Sequence, residues 1–207
     1  MDRYADCEVD KYADCMEAIQ MHIKAINDVL DRTPPMFMIR DVEFVALQLR
    51  KILELIVFAN LSAHIEQYQA IRSSYANDWN INRIRKHIKT INPDYYPKAI
   101  RPPSGCKNDI GVLKISIESL SEGFLTESEY ASEYQHLSTL IHAQNPFNTT
   151  AIQVVDELNR LDNIRKKIIT LLNYHQVRLS NGDVIHCEMS LALGKKSNLK
   201  IVKLKLV

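Results

Sequence analysis

From Ile52 to Leu61 the chain reads ILELIVFANL, apolar except for Glu54 and Asn60. A helix that is apolar along one stripe can lie on a surface. One that is apolar almost all round must be enclosed by neighbours. The run is also far short of the ~18 apolar residues needed to span a membrane, so protein must do the enclosing. This segment predicts a central buried helix, starting near Asp41 as N-cap and running to about Tyr75, with other helices packed around it. Arg50 and Glu54 lie four residues apart on one of its stripes, continued by Val57, Leu61 and His64.

The periodicity elsewhere supplies those neighbours. Val9, Tyr12, Met16, Ile19, Ile23, Ile26 and Leu30 recur at three- and four-residue steps, predicting a helix over 4–32 that Thr33-Pro34-Pro35 ends. A third helix follows Asn77-Asp78, with Ile81, Ile84, Ile88 and Ile91 on its apolar stripe and Asn92-Pro93 as its stop. Thr126 and Glu129 form a T-x-x-E capping box for a fourth, with Tyr130, Tyr134, Leu137 and Ile141 turned to the core. Thr149 or Thr150 caps a fifth, carrying Ile152, Val155, Leu158, Leu161, Ile164, Ile168 and Leu171. Residues 93–109 form a long irregular connection, suited to a binding loop, and 111–117 read as a strand.

Near Asn173 the period changes from helix to strand. HQVRL and VIHCEMSL flank Ser180-Asn181-Gly182-Asp183, a hairpin signal, and LKIVKLKLV closes the chain as a last strand. The expected fold is therefore α+β, mostly α: a bundle of about five helices over 1–172, with a C-terminal antiparallel β-meander over 173–207 packed on it.

Net charge is +1, from 26 basic and 25 acidic residues, which argues against a globally basic nucleic-acid binder. The start, MDRYADCEVD, is acidic and has no apolar core, which argues against a secretory signal. Cys7, Cys15, Cys106 and Cys187 have no CxxC spacing and read as reduced thiols of a cytoplasmic protein. There is no glycine-rich phosphate loop, no G-x-S-x-G elbow and no HExxH, and no cofactor is expected.

Four constellations carry chemistry. His136, Ser138, His142 and Asn145 gather at the end of the fourth helix. There His142 is either a general base or a helix C-cap. Arg50 with Glu54 is either an anion-directed guanidinium or a structural ion pair; the apolar helix around it predicts burial. Arg83, Arg85, Lys86 and Lys89, near Trp79, Tyr95 and Tyr96, suit a phosphate backbone with stacked bases, or a solvated helix face. If the hairpin loop has two residues, Asn181-Gly182, then His175, His186 and Glu188 share one sheet face as a two-His, one-carboxylate set. One register slip breaks that set, so no metal site is assigned.

LQLRKILELIVFANL (47–61), with its R-x3-E step, resembles the second helix of HEPN-like domains. YQHLSTLIHAQNPF (134–147) resembles the later helix of that superfamily, which commonly ends in His. INPDYYPK, GFLTESEY, IHAQNPF and IITLLNYHQVRLSNG also resemble a widespread group of uncharacterised bacterial proteins. The HEPN resemblance implies a four-helix up-and-down core. Its RNase members use an R-x4–6-H motif, and none of the seven histidines here has an arginine at that spacing. The resemblance thus implies a non-catalytic or degenerate module that works through a protein partner or as a homodimer, in a bacterial stress or phage-defence system. The alternatives are a metal-independent RNase using His136, His142, Asn145 and Arg50, and an RNA-binding module using the basic helix.

Overall fold

The computed structural model describes residues 3–32, 37–73, 75–102, 104–107, 113–143, 147, 152–189, 191 and 199–204. Among them are six α-helices: α1 (Arg3–Leu30), α2 (Ile39–Ala63), α3 (Ile65–Ile71), α4 (Ile81–Ile91), α5 (Glu127–Ile141) and α6 (Val154–Asn173). The strands are β1 (Lys98–Ala99), β2 (Ser104–Lys107), β3 (Leu113–Ser116), β4 (Tyr174–Arg178), β5 (Val184–Met189) and β6 (Leu199–Leu204). The fold is α+β with helix dominant, as the periodicity predicts.

Helix α2 is the centre. It packs against α1, α4, α5 and α6, and Val45, Leu49, Ile52, Leu53, Ile56 and Val57 are buried along it. Each such side chain contributes about 1.5–3 kcal/mol relative to exposure. The stripe Tyr12, Met16, Ile19, Ile23 and Ile26 of α1 is buried, as are Leu158, Leu161, Ile164, Ile168 and Leu171 of α6. The predicted capping box of α5 forms: Thr126 Oγ1 accepts from the Glu129 N–H at 3.2 Å, and Glu129 Oε2 accepts from the Thr126 N–H at 3.0 Å.

Both ends of α2 differ from the expectation. The N-cap is Met38, not Asp41. Asp41 lies one turn inside, accepting the Met38 N–H at 2.8 Å and an ion pair from Arg32 at 3.1 Å. The helix also stops at Ala63 instead of continuing to Tyr75, and α3 begins after a break at His64 (φ −126°, ψ 24°). No glycine or proline marks that break; tertiary hydrogen bonds hold it. His64 is buried, and its Nδ1 donates to the Asn60 carbonyl at 2.8 Å. Its Nε2 accepts from Asn92 Nδ2 at 2.9 Å, and the same Asn92 nitrogen donates to the Arg178 carbonyl at 2.7 Å. One asparagine after α4 therefore ties the α2–α3 break to the sheet. The cap predicted at Thr149 or Thr150 lies outside the described residues; α6 starts at Val154 behind Gln153.

Helix α6 enters β4 without a loop. The sheet is antiparallel in the order β1-β4-β5-β6, and β2 and β3 pair separately. Part of the connection expected to be irregular thus becomes an edge strand, Lys98–Ala99 pairing with Gln176 and His175. The inward sheet residues Val177, Ile185, Cys187 and Met189 belong to the same apolar core as the helices.

The hairpin loop has three residues, not two. The Leu179 N–H donates to the Asp183 carbonyl at 2.8 Å, and the Gly182 N–H to the Leu179 carbonyl at 3.0 Å. A type I′ turn needs positive φ at two central positions, but here Gly182 alone has it, at +91°. Asn181 instead spends its side-chain oxygen on the Asp183 N–H at 3.0 Å. The extra residue moves the pairing by one, so His175 lies opposite Cys187 and Glu188 opposite Tyr174. His175 turns into the core, while His186 and Glu188 take the outer face. The two-His, one-carboxylate set is dispersed, and no cluster suited to a metal occurs among the described residues.

Within the core, the Leu172 carbonyl can only accept, so His175 Nδ1 carries the proton in the 2.8 Å bond between them. Nε2 then accepts from the Tyr12 hydroxyl at 2.6 Å. Burial, with a smaller contribution from His186, pulls the imidazole down to about 4. Burial also lowers His64. A histidine kept neutral in the fold binds its proton more readily when unfolded, so its contribution is present above about pH 6.5 and is lost toward pH 4. At 1.36 kcal/mol per pH unit, His175 alone corresponds to about 3 kcal/mol. Urea unfolding followed from pH 7 to pH 4 should show the midpoint falling through this window; a flat midpoint would contradict the assignment.

Candidate functional site

An open cavity of about 350 Å³ lies beside the C-terminal half of α2, lined by Arg50, Glu54, Phe58, Trp79, Asn80, Ile81, Asn82 and Tyr134. Three segments build it. Helix α2 supplies Arg50, Glu54 and Phe58 at steps of four. Helix α5 supplies Tyr134, one turn beyond buried Tyr130. The start of α4 supplies the rim, where Asn80 caps the helix by accepting the Arg83 N–H at 3.0 Å. The preceding residue, Asp78, accepts from the Tyr68 hydroxyl at 2.9 Å and pairs with Arg72. That anchor fixes the segment carrying Trp79, the chain's only tryptophan, which is 80% exposed.

Inside the cavity the polar groups satisfy one another. Arg50 Nε donates to Glu54 Oε1 at 3.1 Å, and the Tyr134 hydroxyl donates to the same oxygen at 2.9 Å. The guanidinium sits 5.1 Å from the Tyr134 ring centre, within cation–π range. Burial works to lower the Arg50 value, but Tyr134 and Glu54 outweigh it and hold the guanidinium above its usual range. Burial and the bond to Glu54 raise the Tyr134 phenol. Tyr134 stacks on Tyr130, with centres 6.2 Å apart and planes 7° from parallel, and Arg85 lies 4.1 Å over Tyr130. Each ring of the stacked pair thus carries a guanidinium.

The ion pair is half-buried, contrary to the burial its apolar helix predicted: the side chains of Arg50 and Glu54 are 26% and 29% exposed. The reason is the stripe they occupy. It lies opposite α2's packed faces and stays open because the neighbours leave it uncovered.

The predicted catalytic residues separate. Tyr134 faces α2, while His136, about 200° further round α5, turns to α6 and meets Glu157 Oε1 at 2.7 Å. His142 is the C-cap of α5 and is exposed. Asn145 lies outside the described residues. No contact joins Arg50, His136 and His142 among the described residues.

The basic helix is likewise divided. Arg85 points inward to Tyr130 and to the Tyr95 hydroxyl at 3.4 Å. Lys89 pairs with Glu127 at 2.7 Å. Arg83 and Lys86 remain on the exposed face. Tyr134 and Asn82 are the site residues that sequence reasoning missed. Tyr134 was legible only as core, four residues after Tyr130.

Comparisons with protein-family models, curated proteins and solved structures find no match to this chain.

Because the Arg50–Glu54 pair is part-exposed, Glu54→Ala should cost only about 1 kcal/mol, and Glu54→Gln, which keeps an acceptor for Tyr134, less. Chemical denaturation measures both. A loss of several kcal/mol would mean that the pair behaves as buried. Trp79→Ala should change stability by less than about 0.5 kcal/mol. In the unaltered protein, iodide should quench Trp79 fluorescence nearly as well as it quenches free indole.

Proposed function

We propose that the protein is a degenerate HEPN-like module that acts by binding another protein surface and not by catalysis. The observation that carries this reading is the outward face of α2. Phe44 and Leu47 are 41% and 37% exposed, and the same face runs into the cavity floor at Phe58 beneath Trp79. Exposed apolar side chains continuous with an aromatic-rimmed cavity are the usual make-up of a contact surface. The polar groups of the cavity are engaged with one another, which supports a structural role for them and leaves the apolar parts to a partner. The resemblance to HEPN-like domains supports a setting in a bacterial stress or phage-defence system.

The rival activity is cleavage of RNA by His136 and His142. In-line attack by a ribose hydroxyl needs a base together with a cation for the developing charge, and Arg50 is held by Glu54 on a different helix pair from His136. Purified protein, His136→Ala and His142→Ala should all leave single-stranded RNA intact. Cleavage by the unaltered protein that vanishes in both folded variants would overturn the interaction reading, since general acid–base catalysis contributes about 10²–10⁴ in rate.

A further inference from the structure

The outward stripe of α2 has an internal symmetry. Phe44, Leu47, Lys51, Glu54 and Phe58 follow one another at steps of three, four, three and four, the spacing of a helix seam that packs on a second helix. Turn a second copy of α2 antiparallel about an axis level with residues 52 and 53. Leu47 then meets the partner's Phe58, and Lys51 meets the partner's Glu54. The two-fold repeats both contacts. Any contact across such an axis must be self-complementary, and this stripe is: apolar falls on apolar and cation on anion throughout.

The charges on the stripe are unfinished within one chain. Lys51 is exposed and makes no ion pair among the described residues. Glu54 uses Oε1 for both Arg50 and Tyr134, which leaves Oε2 without a protein partner among the described residues. Lys51 and Glu54 lie three residues apart but make no ion pair with each other. Each therefore presents an unspent valence at the position the antiparallel register brings opposite its complement.

We propose that the partner of the α2 face is a second copy of this chain, docked antiparallel so that Lys51 of each copy pairs with Glu54 of the other and Leu47 packs on Phe58. This deepens the interaction reading and rests on it. Each copy then adds an apolar wall to the other's cavity, whose floor holds Glu54 and Phe58. The apolar contacts supply the affinity, and the paired charges fix the register and exclude the parallel alternative, which would set like charges level with each other.

The test is the mass of the full chain in solution by sedimentation or light scattering over a dilution series. The unaltered protein should run at twice the 23.8 kDa of one chain. Lys51→Glu sets two carboxylates against two and should raise the dimer dissociation constant about tenfold or more. Leu47→Arg, also at an exposed position, should do the same. Lys51→Glu mixed with Glu54→Lys should recover a dimer that neither forms alone. Should Glu54→Lys unfold, because Arg50 and Tyr134 lose their acceptor, the two single variants still decide the matter. An unaltered protein that stays monomeric up to its solubility limit, or a dimer that both Lys51→Glu and Leu47→Arg leave intact, overturns the proposal. The RNA assay keeps the two readings apart. A monomer that does not cleave RNA sinks only the dimer, and a dimer that cleaves RNA sinks only the non-catalytic reading.

Discussion

Helix α2 carries more apolar surface than any single neighbour can cover, and the other elements are arranged by that excess. α1 covers one flank, α5 and α6 cover others, and α4 closes part of the C-terminal end. The sheet does not touch this problem directly. It covers the far side of α6 and α1, so the meander belongs to the same core without contributing to the enclosure of α2. The one stripe left open, from Phe44 to Phe58, is what remains after four helices have packed. It is also where every feature with a claim to function collects: the aromatic rim, the guanidinium stacked on Tyr134 and the unspent charges.

Buried polar groups pin this arrangement in register. Apolar packing alone would allow α2 to slide along its neighbours, because one leucine replaces another at modest cost. The bonds from His64 to Asn60 and Asn92, and from Asn92 to the Arg178 carbonyl, allow no such slide without stranding a buried donor. Tyr12 and His175 do the same between α1 and β4. Both histidines work as neutral, single-tautomer hydrogen-bonding groups. The chain thus spends two of its seven histidines on alignment, and neither is available for proton transfer.

Much of the fold was legible because it depends on local chemistry. The apolar run of α2, the proline and asparagine stops, the Thr126 capping box and the change of period at Asn173 each rest on residues a few positions apart. What was not legible depends on distant partners. The break at His64 has no local signal, since Asn92 enforces it from 28 residues away. The hairpin register turned on a single loop residue, which Asn181 decided by bonding Asp183 instead of adopting positive φ. Arg50 and Glu54 looked buried because their helix is apolar, but burial is set by which faces the neighbours choose. The grouping of His136 and His142 failed for a simpler reason: closeness along a helix does not place side chains on one face.

The direct passage from α6 into β4 leaves no hinge between helix and sheet. Asn173 ends the one and Tyr174 begins the other, and β4 is an inner strand, bonded on both edges by β1 and β5. A local opening of the sheet must therefore pull on the end of a helix whose last turn is buried at Leu171 and Leu172. Such a joint makes helix and sheet one cooperative unit. Amide protection should carry across it without a step, so the C-terminal strands hold together as long as the bundle does.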